Sequence, residues 1–178
     1  DFAIDGAGRC DITMTWQGAR TELPEFGLLF PLRRELTEVS YLGLGPRETT
    51  ADRTAGGKMG AWSYNVRQDF AQNSPVYPQE CGSRTGVYRA DLTGAIPGIC
   101  FAGDSMTFSA LPYTPHELEN ARHLYELPRD DNKTVVRCAA FQRGVGGDNS
   151  WGATPHEAAC FAVEKGMTFS FSIQKQNG

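Results

Sequence analysis

Apolar and polar residues alternate strictly along several short stretches of this chain. In Met167–Ile173 every second side chain is apolar, and Asp11–Trp16 has the same pattern. Since successive side chains of a strand point to opposite faces, this period of two predicts half-buried β-strands. Lys133–Gln142 is apolar on both faces, which predicts a strand packed between two layers. Glycine and proline residues separate further predicted strands at Phe26–Phe30, Glu35–Leu42, Gly60–Val66, Thr85–Leu92 and Asp104–Leu111.

Start signals predict one short helix near residues 114–125. Thr114 and Glu117 have the spacing of a capping box, and Pro115 takes the first helical position. Apolar residues then recur at helical spacing, and Pro128 ends the segment. We therefore predict an all-β fold, a β-sandwich with one short helix, which forms a single domain over residues 1–178.

Charge and hydropathy exclude several classes of partner. The net charge is −4 and the pI is about 5.4, which argues against nucleic acid or an anionic membrane as a partner. No apolar run approaches the roughly 20 residues that a membrane-spanning helix needs. The chain opens on Asp1 and has no signal-like segment. We expect a processed product or an excised piece of a longer protein.

The cysteine pattern predicts a reducing compartment. Five cysteines are spread along the chain, and no two form a C-x-x-C pair. An odd, scattered set is a poor disulfide framework and does not have zinc-ligand spacing. None of the three histidines belongs to an H-E-x-x-H motif, so we expect no metal site in this chain. The expected location is the cytoplasm.

A glycine-rich loop at residues 144–152 carries Trp151 next to short polar side chains. An indole on such a loop predicts a sugar site, because the apolar face of a pyranose can lie on the ring while polar groups meet its hydroxyls. The alternative is that Trp151 packs against a neighbouring strand. His156 follows closely and is expected on the same surface. The candidate substrate-binding residues are Trp151, Asp148, Asn149, Ser150 and His156.

Other charged residues indicate a structural role. Acidic and basic side chains interleave along residues 45–53, and Glu80 precedes Arg84 by four positions. Interleaved opposite charges favour ion pairs that fix loops. A glycosidase needs two carboxyl groups roughly 5 to 9 Å apart, and the sequence does not show that any two meet. The predicted structural polar network consists of Glu48, Asp52, Arg53, Glu80 and Arg84.

Several separated motifs together resemble one enzyme family. The blocks are Tyr41–Glu48 with Asp52-Arg53, Pro78-Gln79-Glu80 with Gly82 and Arg84, Tyr113-Thr114-Pro115 with Leu118 and His123, and Gly144–Trp151. In this order and spacing they resemble the C-terminal domain, also called the small chain or fifth domain, of bacterial β-galactosidases of glycoside hydrolase family 2. The chain departs from the family pattern at residues 49–51, at Cys81 and at Asn149.

The resemblance implies a fold for this chain and places the catalytic residues in another domain. It implies an antiparallel β-supersandwich similar to galactose mutarotase. This chain would form most of that domain, which would be truncated at its N-terminal side. The catalytic glutamates would lie in a barrel domain outside this chain, so the chain would hold no catalytic residue and be inactive alone. Trp151 would contact the sugar, and Asp148, Asn149 and Ser150 would shape its loop.

The implied activity is retaining hydrolysis of terminal β-D-galactosides such as lactose. No cofactor is expected in this chain, and Mg and Na are expected in the parent enzyme. The expected partners are the other domains of the β-galactosidase and the galactoside, in a homo-oligomer. Two alternatives stay open: a mutarotase-type enzyme that pairs His123 or His156 with Glu80, and a purely structural oligomerisation module.

Overall fold

A computed structural model describes residues 1–129, 132–149 and 151–176 of the chain. Strands dominate these ranges, and every strand predicted from the sequence is confirmed, with small shifts at the ends. Three strands of three residues each were not predicted. The strands are β1 (Phe2–Ile4), β2 (Cys10–Thr15), β3 (Thr21–Leu23), β4 (Glu25–Arg33), β5 (Leu36–Gly45), β6 (Lys58–Asn65), β7 (Arg84–Gly94), β8 (Ile99–Leu111), β9 (Lys133–Gln142), β10 (Phe161–Val163) and β11 (Thr168–Lys175).

Strand β8 is the point at which the main sheet forks. The sheet has nine strands, and all its pairings are antiparallel. On one side β8 pairs with β7, which leads to β5 and β6. On the other side its first residues pair with β11, whereas residues 107–111 pair with β9. The sheet therefore divides into a β11–β2–β1 branch and a β9–β4 branch, and β3 and β10 form a separate pair.

Aromatic side chains from the two branches pack together in the core. The ring of Phe30 on β4 lies 5.4 Å from that of Phe101 on β8 and 5.9 Å from that of Phe171 on β11. Strand β9 is buried on both faces, as its continuous apolar sequence predicts. The mostly β, antiparallel prediction is thus confirmed. The finer assignment to a mutarotase-like supersandwich stays a prediction.

The prediction of a single helix is wrong, because the described residues contain two α-helices. Helix α1 (Val66–Asn73) was missed. Its N-cap is Asn65, whose side-chain oxygen accepts hydrogen bonds from the amides of Arg67 and Gln68, each at 3.1 Å. The sequence signal was weak, since Val66 and Phe70 are its main apolar residues and a strand runs directly into the helix.

Helix α2 (Pro115–Asn120) begins as predicted and ends earlier than predicted. The capping box is present, with the amide of Glu117 donating to Thr114 Oγ1 at 3.2 Å and the amide of Thr114 donating to the Glu117 carboxylate at 2.8 Å. Ala121 is extended, and the next amide donates to the side chain of Glu126 instead of continuing the helix. A 3₁₀ turn follows at Leu124–Glu126.

The five cysteines are free thiols, and Cys138 is fully buried on β9 beside Met106. Burial raises the pKa of the Cys138 thiol well above its usual range.

The two α-helices within the described ranges are both too short and too polar to cross a membrane.

Candidate functional site

The backbone of the loop that carries Trp151 packs closely against residues 153–159, which follow it in the chain. A Cβ atom on Gly144 would lie 2.8 Å from both Asp52 and Ala159, and one on Gly147 would lie 2.2 Å from the carbonyl oxygen of Ala153. The glycines therefore permit close approach of chain segments. In the described part of the loop only Gly152 has a positive φ, of 94°. The glycines at positions 144, 146 and 147 therefore do not serve to reach positive φ.

Asp52 fixes the start of this loop to the connection between β5 and β6. Its carboxylate accepts a hydrogen bond from the Gly146 amide at 2.6 Å, across 94 residues of sequence, and another from Thr50 Oγ1 at 2.6 Å. Partial burial acts to raise the pKa of Asp52, but the hydrogen bonds from Thr50 and from loop amides outweigh it and hold the pKa below its usual value. The anchor is therefore an ionised carboxylate at neutral pH.

The Trp151 side chain is 92% exposed. This exposure rules out the alternative that the indole packs against a neighbouring strand. Its backbone amide donates to Asn149 Oδ1 at 2.8 Å, a local turn that sets the direction in which the chain enters Trp151. The other residue of this predicted group, Ser150, lies outside the described residues.

Asp148 and His156 close the loop on either side of Trp151. His156 Nε2 lies 2.7 Å from Asp148 Oδ1, and both side chains are largely exposed. The structure thus brings four of the predicted substrate-binding residues into one loop. An exposed pair of this kind contributes at most about 1 kcal/mol to stability.

The charged residues predicted as one network divide into separate pairs. Glu48 contacts Arg53 at 3.1 Å and accepts a hydrogen bond from the Gly82 amide at 2.5 Å. Glu80 does not pair with Arg84, despite their four-residue spacing. Its partner is Arg137, a buried side chain on β9 whose Nε also lies 2.7 Å from a carboxylate oxygen of Glu25. One guanidinium therefore holds two carboxylates under the loop.

Arg84 lies in a separate buried site. Its guanidinium contacts both carboxylate oxygens of Asp69, at 3.1 and 3.2 Å, and donates to the Gly82 carbonyl at 2.8 Å. The Tyr64 ring lies 4.8 Å from the guanidinium carbon. Burial acts to lower the pKa of Arg84, but Tyr64 and Asp69 raise it further than burial lowers it. Sequence reasoning missed Asp69, because it missed the helix α1 that carries this residue.

The acid–base pairs that mutarotase chemistry would need are not formed. His123 contacts Glu126 at 3.2 Å and His156 contacts Asp148, whereas Glu80 is held by Arg137. Within the ranges the structure describes, no group of three or more His, Cys, Asp or Glu side chains is arranged to hold a metal ion.

A cavity of about 860 Å³ opens at the base of the loop. Gly144 and Val145 line one wall together with residues 153–155, and residues 77–80 line another. Glu25, on β4, also lines this cavity. Sequence reasoning did not identify it, because its walls come from segments that are far apart in the chain.

The fold and this loop together define a mostly β, antiparallel domain that presents an aromatic ring outwards. Comparison with known proteins then assigns the family. A profile described as the β-galactosidase small chain matches residues 1–173. This chain belongs to the β-galactosidase small-chain family.

Individual relatives agree with the family assignment. The chain is 38% identical over 177 residues to a β-galactosidase of Lactobacillus delbrueckii subsp. bulgaricus, covering 97% of the chain and 17% of that protein. It is 35% identical to a β-galactosidase of Halalkalibacterium halodurans, covering 98% of the chain and 18% of the relative. A β-galactosidase small subunit of Latilactobacillus sakei is 34% identical, with 97% and 57% covered. The chain thus spans less than a fifth of the two longer relatives.

Proposed function

We propose that this chain is the small-chain, C-terminal part of a β-galactosidase that hydrolyses terminal β-D-galactosides such as lactose. The observation that carries the proposal is the nearly complete exposure of Trp151 on a loop that Asp52 fixes to the connection between β5 and β6. Family membership supplies the reaction class. An aromatic ring left uncovered on an anchored loop is suited to lie against the apolar face of a sugar.

Each loop residue has a proposed part in binding. The indole face of Trp151 would contact the C–H face of the galactoside, chiefly on the side of the leaving group. Asp148, Asn149, Ser150 and His156 would hold the loop in shape and offer hydrogen bonds to sugar hydroxyls. The contact between Asp148 and His156 joins the two sides of the loop next to Trp151.

The bond cleavage itself belongs to another part of the enzyme in this proposal. Two glutamates there would act as nucleophile and acid/base, in the manner of retaining glycosidases. The paired state of Glu25 and Glu80 supports this division, because both carboxylates are occupied by Arg137. We propose the large chain or the remaining domains as partner, in a homo-oligomeric cytoplasmic enzyme whose Mg and Na sites lie outside this chain. The Latilactobacillus sakei relative, named as a small subunit, supports association of this kind.

The test is substitution of Trp151 in the complete enzyme that contains this chain. Stacking on an aromatic ring contributes about 0.5–1.5 kcal/mol, so Trp151→Ala is expected to raise KM for lactose about 2- to 12-fold with a smaller change in kcat. Trp151→Phe keeps a ring and is expected to lose less. The control is Tyr125→Ala, which removes another exposed aromatic side chain, located outside the loop.

An unchanged KM for Trp151→Ala would contradict the proposed role of the loop. The mutarotase alternative is tested with the chain alone, by polarimetry of freshly dissolved α-galactose. Faster mutarotation than in buffer would favour that alternative, whereas the proposal predicts no acceleration and no lactose hydrolysis by the chain alone.

A further inference from the structure

The cavity at the base of the loop is the outer half of a larger cleft. A second cavity, of about 280 Å³, shares four of its lining residues: Gln79, Glu80, Gln142 and Val145. The cleft therefore has a wide outer lobe and a narrower inner lobe that leads towards Ser83. Both volumes are of the order of 300–1,000 Å³ that small-molecule sites occupy in proteins.

Two buried polar atoms of the inner lobe have no hydrogen-bond partner among the described residues. Ser83 is only 3% exposed and its Oγ is unpartnered. Gln142 donates through Nε2 to Glu80 at 3.3 Å, which leaves its buried Oε1 unpartnered. Buried polar atoms are nearly always hydrogen-bonded in folded proteins, so these two require a partner from outside the described residues, a water or a ligand hydroxyl. Ser83 Oγ can donate or accept a hydrogen bond and Gln142 Oε1 can accept one, so both can pair with a hydroxyl group.

The charges around the inner lobe favour a neutral ligand over an ion. Glu48 is paired with Arg53, and Glu80 is paired with Arg137. Each carboxylate that lines the inner lobe thus has a guanidinium partner, and Arg137 shares its single charge between Glu80 and Glu25. Burial raises the pKa of the Cys81 thiol to about 12, so this lining residue is also uncharged at neutral pH.

The outer lobe provides apolar surface of the kind that sugars bind. Tyr77 is 59% exposed and Val145 is 61% exposed, and both line the outer lobe. Pro78 and Pro155 add rigid apolar surface beside them. An uncovered phenol ring next to amide and carboxylate groups fits a pyranose, whose C–H face lies on the ring while its hydroxyls reach the polar groups.

We propose that this cleft is a second carbohydrate site, which binds a neutral pyranose or short oligosaccharide independently of the sugar that Trp151 would contact. Ser83 and Gln142 bind its hydroxyls in the inner lobe, and Tyr77 packs against a ring in the outer lobe. Gln142 is pre-positioned on β9, opposite Glu25 of β4 in the sheet register. This proposal uses the cleft alone and does not depend on the role of Trp151.

The experiment is a titration of the isotope-labelled chain with lactose and with galactose, followed by NMR. We expect saturable shifts at the amides that line the inner lobe, those of residues 79–81, Ser83 and Gln142, with a dissociation constant in the millimolar range. Sorbitol, an open-chain polyol, has hydroxyls and no pyranose face and is expected to bind more weakly. Shifts that do not saturate, or equal binding of sorbitol, would overturn the proposal and leave water or a protein segment as the occupant of the cleft.

Matched variants separate this site from the loop. Tyr77→Ala and Ser83→Ala each remove one contact and are expected to weaken binding about 2- to 12-fold. Trp151→Ala is expected to leave the saturable shifts of the inner-lobe amides unchanged, whatever it does to shifts within its own loop. Spectra of the unliganded variants that match the parent chain outside the cleft verify folding. If both cleft variants bind as tightly as the parent chain, the second site is refuted, while the KM test of Trp151 is unaffected.

Discussion

Replacing Asp52 by alanine tests whether this residue holds the Trp151 loop in place. The change removes the charged acceptor of the Gly146 amide, a hydrogen bond of 2.6 Å. A hydrogen bond to a charged group contributes about 1.5–3 kcal/mol, and the lower end applies because Asp52 is exposed, so local opening of the loop should become about 12-fold more frequent. The global fold should change little, because Asp52 lies outside the named strands and helices.

Hydrogen exchange of the Gly146 amide measures this opening directly, since exchange of an amide in a locally opening segment follows the opening equilibrium. The control is Asp148→Ala, which removes a largely exposed carboxylate of the same loop and should change exchange at Gly146 only slightly. An increase of less than about threefold in Asp52→Ala would refute the anchoring role.

The same anchor predicts a pH dependence. The pKa of Asp52 is lowered in the folded chain by the hydrogen bonds from Thr50 and Gly146, which outweigh burial. A carboxyl group with a lowered folded-state pKa stabilises the fold above its unfolded pKa, and this contribution is lost as pH falls through the folded pKa. Exchange at Gly146, corrected for the intrinsic effect of pH, should therefore accelerate only in acid, as the pH falls from the ordinary pKa of an aspartate through the lowered pKa of Asp52.

Two further substitutions test the supports of the site. Asp69→Ala leaves the buried guanidinium of Arg84 without its carboxylate. We expect it to lower the free energy of unfolding, measured by urea denaturation, by about 3 kcal/mol. The control, Asp11→Ala at an exposed ion pair, is expected to lower it by less than about 1 kcal/mol. Equal losses would contradict the assignment. Gly147→Ala would place a Cβ 2.2 Å from the Ala153 carbonyl oxygen, so it should displace the loop and raise KM for lactose; unshifted loop amides would count against this.

Much of the fold could be predicted because strand signals are local. The alternation of apolar and polar residues in Met167–Ile173 and the apolar run of Lys133–Gln142 each indicate a strand without reference to other segments. Both segments form strands. Helix α1 lacked such evidence, since its eight residues have few apolar positions and are fixed by the cap at Asn65. The end of α2 was predicted too late, because the Glu126 side chain accepts a hydrogen bond from the Arg122 amide and the helix stops there.

The candidate site was predictable only where one segment carried it. The loop around Trp151 was visible because glycine, acid and indole are contiguous in the sequence. The pairing of Glu80 with Arg137, and of Arg84 with Asp69, depends on which segments the sheet brings together. The cleft depends on the same long-range packing, and no spacing in the sequence marks it.

The position of β11 in the sheet determines the order in which this chain can fold. Strand β11 comes late in the sequence, yet it lies between β2 and β8 and pairs with both. The hydroxyls of Thr13 and Ser170 meet at 2.9 Å across 157 residues. Strands β1 and β2 therefore have no route into the main sheet until β11 has been synthesised and inserted. Such non-local closure is slow, so during translation the early strands depend on a segment that the ribosome has not yet released.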